Sequence, residues 1–131
     1  MSEVRVMGAR KKLTGLTLIR LHDDLKERRR LRQILSENSV EVLSLELDIG
    51  TTTIARMERC KFDADRFPQI DPAVLAEVKR RRTLYWLASE QYYSRYKDAA
   101  LMARYDISKP TLTRRAKEWR AAQMVSRRMA A

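Results

Sequence analysis

The stretch Asp98–Trp119, DAALMARYDISKPTLTRRAKEW, decides how the rest of the chain is read. Leu101 and Tyr105, four apart, put a buried face on a first short helix. Asp106 stands where the chain must turn, and aspartate tolerates a left-handed backbone better than most residues. Ile107 follows as the apolar plug of the turn. Ser108 is placed to cap a second helix, and Pro110 fits its first turn, where the missing N–H costs nothing. Leu112 is the core contact of that second helix. Lys109, Thr113, Arg114 and Lys117 are left pointing outward.

A second stretch, Ser39–Cys60 (SVEVLSLELDIGTTTIARMERC), superposes on the first at an offset of 58 residues. Leu43 falls on Leu101, Leu47 on Tyr105, Asp48 on Asp106 and Ile49 on Ile107. Beyond the turn Thr53 falls on Thr111, Ile54 on Leu112 and Arg56 on Arg114. Core matches core and turn matches turn, which predicts an internal duplication.

The later stretch resembles the helix-turn-helix DNA-binding superfamily, whose common pattern runs Leu-Ala-x-x-Leu-Gly-Ile-Ser-x-x-Thr-Val-x-Arg. The chain answers with Leu101, Met102, Tyr105, Asp106, Ile107, Ser108, Thr111, Leu112 and Arg114. It departs at Met102, where a small residue is usual, and at Asp106, where glycine is usual. The match covers about a sixth of the chain. The resemblance implies a second helix laid in a DNA major groove. Base reading would then fall to Lys109, Thr113, Arg114 and Lys117, with Ser108 at a phosphate or the cap. In the earlier copy the counterparts are Thr51, Thr52 and Arg56, with Arg59 toward the backbone and Ala55 able to meet a thymine methyl.

Composition agrees with a polyanionic partner. The 131 residues hold 28 Lys and Arg against 17 Asp and Glu, a net charge of +11. Neutralising phosphates and releasing their counterions supplies non-specific affinity. Residues 1–60 carry 12 basic and 9 acidic side chains, and residues 61–131 carry 16 and 8. The later copy is thus the stronger candidate, while Glu37, Glu41, Glu46 and Asp48 crowd the first helix of the earlier one. Arg28, Arg29, Arg80 and Arg81 lie in two arginine-rich turns, where solvated faces and phosphate contacts compete as readings.

Other chemistries are poorly provided for. Cys60 and His22 are each single, so neither a thiolate metal cage nor a histidine general base has its cluster. Neither a phosphate loop nor a convincing carboxylate pair is present. The expectation is no enzyme, no metal and no cofactor. With no apolar run of secretory or transmembrane length, it extends to no membrane and a cytoplasmic location, nucleoid-associated if the chain is encoded by a bacterium, phage or plasmid.

Only three glycines and three prolines interrupt the chain, and alternating β-branched stretches are few, so an all-α fold is expected. Residues 1–12 read as a basic arm carrying Arg5, Arg10, Lys11 and Lys12. Leu16 to about Leu35 reads as one helix, with Leu18, Leu21, Leu25, Leu31, Ile34 and Leu35 on its apolar side. Residues 61–71 read as a linker fastened by Phe62, Phe67 and Ile70. Asp71 and Pro72 open a long aromatic-rich helix, with Val74, Leu75, Val78, Leu84, Leu87 and Ala88 as its stripe. The predicted architecture is two trihelical helix-turn-helix units, 13–60 and 72–131, joined by that linker and long helix. The expected function is a transcriptional regulator bound to double-stranded DNA. Rival readings are the recognition subunit of a recombination or packaging machine, and a protein-binding module facing RNA polymerase or another protein. Residues after Trp119, with Met124 and Met129, read as a tail or a contact to a second copy.

Overall fold

Asp48 and Asp106 take up the left-handed backbone expected of them, at φ 55°, ψ 49° and φ 51°, ψ 52°. Around each, a short helix ends and a second begins. The computed structural model describes residues 13–130, and the elements of that span are helical without a strand. They are α1 (Gly15–Glu37), α2 (Val40–Leu47), α3 (Thr51–Arg59), α4 (Pro72–Gln91), α5 (Asp98–Tyr105) and α6 (Lys109–Ala130). A 3-10 turn, Ala64–Arg66, precedes α4, and a π turn, Tyr92–Tyr96, follows it. The basic arm expected over 1–12 lies outside the described residues.

The local construction repeats at the offset found in the sequence. Ile49 N–H donates to Ser44 O at 3.2 Å, and Ile107 N–H to Met102 O at 3.1 Å, each closing the end of its first helix. Ile54 N–H reaches Gly50 O at 3.1 Å, and Leu112 N–H reaches Ser108 O at 3.0 Å, each opening the second. Caps differ in detail. The Ser39 hydroxyl accepts from Val42 N–H, whereas Lys97 offers α5 no side-chain cap. Asp71 caps α4 by accepting from Ala73 N–H at 2.9 Å, with Pro72 in the first position as expected.

Contacts divide the described residues into two units, one combining residues 13–29 with 93–130, the other Arg30–Tyr92. In the first, Leu21 and Leu25 of α1 are buried with Leu101, Ile107, Leu112, Ala116 and Trp119 of α5, its turn and α6. In the second, Leu43, Ile54 and Met57 of α2 and α3 are buried with Phe67 and with Leu75 and Val78 of α4. Phe62 and Ile70 pack against this core, so the segment 61–71 is fastened as its aromatics predicted. The grouping departs from the sequential division into 13–60 and 72–131. The later helix pair takes its third helix from α1, and the earlier pair takes its own from α4. Periodicity tells which face of a helix is buried, not which element covers it.

One further expectation is corrected. Leu84 and Leu87 lie off the buried side of α4, 40% and 55% exposed, and Arg82 takes the place on the stripe after Leu75 and Val78. The long helix α4 ends at Gln91 and passes directly into the π turn.

Candidate nucleic-acid interface

Leu112, Ala116 and Trp119 recur at helical spacing and turn one side of α6 inward. That leaves Lys109, Thr113, Arg114 and Lys117 exposed together on the other side, as their spacing predicts. Ser108 is half-buried. Its Oγ accepts from Thr111 N–H at 3.4 Å and lies 3.0 Å from the Thr111 hydroxyl, so it serves the helix start. On α3, Thr51, Thr52, Arg56 and Arg59 are exposed and Ala55 is half-buried. The Arg56 guanidinium lies 5.2 Å from the centre of the Phe67 ring, which ties this candidate reader to the fastened linker.

The four arginines considered for phosphate contact are not alike. Arg28 is buried and donates to Asp98 at 2.7 Å, which joins α1 to the start of α5. Arg81 donates to the Asn38 side chain, to Glu37 O at 2.8 Å and to Glu46 at 2.7 Å. Both are structural ties, so neither the solvated-face nor the phosphate-contact reading of their turns describes these two side chains. Arg80 is exposed but holds Glu77 through two nitrogens, at 3.0 and 2.7 Å. Arg29 is exposed, with its guanidinium 5.9 Å from the centre of the Trp119 ring.

Arg82, next in the same arginine-rich turn as Arg80 and Arg81, is buried. It reaches Glu58 of α3 at 3.1 Å and donates to Asn38 O at 3.0 Å. Its guanidinium lies 4.2 Å from the Tyr85 ring centre, and Trp86 donates its indole N–H to the same Glu58. A signal for this existed. Arg82 follows Leu75 and Val78 at the spacing of a buried stripe, and Arg28 follows Leu21 and Leu25 in the same way.

The units differ sharply in charge. Residues 30–92 hold 10 basic and 10 acidic side chains and are neutral overall. Residues 13–29 with 93–130 hold 14 basic and 6 acidic ones, a net of +8. A cut at residue 60 gives the same contrast once the arm is set aside, since residues 13–60 hold 8 basic and 8 acidic side chains. The excess of positive charge therefore surrounds α6, while α3 sits in a balanced field.

Asp98 sets the start of this interface. Besides Arg28 it meets Lys109 Nζ at 3.3 Å. Burial raises its carboxyl, but Arg28 and Lys109 outweigh that and hold it below the ordinary 3.8. Nearby, Asp24 of α1 accepts from Arg104 at 2.8 Å and from the Tyr105 hydroxyl. Burial, with Asp24 beside it, pushes the Tyr105 hydroxyl up to about 12.

Because the folded Asp98 is the stronger acid, its contribution to stability is present above the unfolded carboxylate range and disappears as pH falls through the lowered value. Urea unfolding followed from about pH 6 to about pH 2 should show the parent chain more stable than Asp98→Asn at the upper end, the two converging in acid. A gap between them that stayed constant with pH would refute the ion-pair role.

No protein-family model, curated protein sequence or solved structure matches the chain. Among the described residues no helix is long and apolar enough to cross a membrane.

Proposed function

We propose that the chain is a sequence-specific double-stranded DNA-binding protein, a transcriptional regulator whose two helix-turn-helix motifs arose by internal duplication. One observation carries the reading. A helix, a left-handed aspartate and a second helix recur 58 residues apart, and the copy ending in α6 lies in the unit that holds the positive charge. In this reading α6 enters the major groove. Arg114 is the guanine reader, because its fork matches O6 and N7, and Lys109, Thr113 and Lys117 line the same approach. The α3 copy, in its neutral unit, contributes a weaker half-site through Thr51, Thr52, Arg56 and Arg59.

Competition binding over a randomised duplex library tests the assignment. Arg114→Ala should lose about 1–3 kcal/mol of discrimination at one base pair and leave the remaining positions of the site as they were. An unaltered preference in that variant would remove Arg114 from base reading. Absence of duplex binding at low salt would overturn the function itself.

A further inference from the structure

The row of α6 that carries Lys109, Thr113 and Lys117 does not end with them. Arg120, Met124 and Arg127 follow at steps of three, four and three, with Arg128 beside the last. From Lys109 to Arg127 the five steps average the 3.6 residues of a helical turn, so these side chains form one continuous line. Every member of the line is exposed. Glu118, the acidic residue of α6, lies off the line and accepts from Arg115 at 2.8 Å. Arg120, Arg127 and Arg128 make no ion pair among the described residues.

Core packing does not explain this end of the helix. Trp119 is the last buried residue of α6, and residues 120–129 are exposed throughout. The helix α3 has no such extension. It ends at Arg59, after which Lys61 and Phe62 turn left-handed at φ 55° and φ 58° and break the helix.

Length supplies the remaining step. At 1.5 Å per residue the line from Lys109 to Arg127 runs about 27 Å, against a major groove about 12 Å wide. A helix whose first turns face base edges must carry its last turns beyond the groove, where the available DNA groups are phosphates. We propose that Arg120, Arg127 and Arg128 form a second DNA-binding site, a clamp on the duplex backbone flanking the groove that the first half of α6 reads. The clamp rests on the placement of α6 in the major groove proposed above.

Salt dependence separates the two ideas. Affinity of the full chain for a selected and a scrambled duplex is measured across salt concentration, beside a triple variant carrying Arg120→Ala, Arg127→Ala and Arg128→Ala. Alanine keeps the helix, and circular dichroism checks that it has. The plot of log affinity against log salt should become shallower by about 0.9 for each phosphate that is no longer neutralised, about 2.7 in all. The ratio of selected to scrambled binding should stay the same. Lysine at all three positions should restore the slope, because the charge is kept. An unchanged slope in the alanine variant overturns the clamp while leaving α6 as the reading helix. A changed ratio at constant slope also overturns it. If the unsubstituted chain binds neither duplex at low salt, the major-groove placement falls and the clamp with it.

Discussion

Arg82→Ala should lower the unfolding free energy by about 3 kcal/mol, near the cost of breaking a buried ion pair by removing one partner. Three elements meet at this guanidinium. Glu58 comes from α3, Asn38 O from the junction of α1 and α2, and Tyr85 from the next turn of α4 itself. The substitution leaves a buried carbonyl without its donor and the Glu58 carboxylate with Trp86 alone. Glu58 retains some exposure to solvent, which keeps the cost toward the lower end of the range. Lysine is a poor replacement, since one ammonium cannot reproduce the planar fork that reaches Glu58 and Asn38 together. Urea unfolding of Arg82→Ala, Glu58→Gln and the double variant measures the coupling. Additive losses would show that the pair is not the source of the stability.

Leu112→Ala should cost a similar amount, about 2–5 kcal/mol, through reduced burial and the cavity left behind. Leu112 is almost wholly buried at the point where α6 meets Leu101 and Ile107. Ile54→Ala, at the matching place in the other unit, should be destabilising to a comparable degree. Their effects on DNA should differ. Held well below both melting transitions, Leu112→Ala should weaken duplex binding by loosening the seat of α6, whereas Ile54→Ala should leave most of the affinity intact. The opposite order would assign the principal DNA contact to α3.

Both predictions concern side chains that the sequence displays unequally. Leu112 is legible because it follows a turn residue and a capping serine and is itself followed by Ala116 and Trp119 at helical spacing. Arg82 is obscured by its neighbours. A run of three arginines reads as a solvated face, although the position continues the line of Leu75 and Val78. Periodicity places Arg82 inward, but nothing local names Glu58 or Asn38 as partners far along the chain. The opposite error arises at Leu84 and Leu87, where apolar character suggests burial and the helix leaves both exposed. Apolar residues are common on protein surfaces, so identity alone decides less than phase.

The candidate interface shows the same division. Outward placement of Lys109, Thr113, Arg114 and Lys117 follows from one helix and its buried face. The inward placement of Arg28 and Arg81 depends on Asp98, Glu37, Asn38 and Glu46, and the last three reach Arg81 only through folding.

By itself, the sequence determined the helices, their caps and the two left-handed aspartates, because these depend on residues within a turn or two of one another. Tertiary structure decided which third helix completes each pair, with α1 serving α5 and α6 and α4 serving α2 and α3. That choice follows from complementary packing between faces distant in sequence.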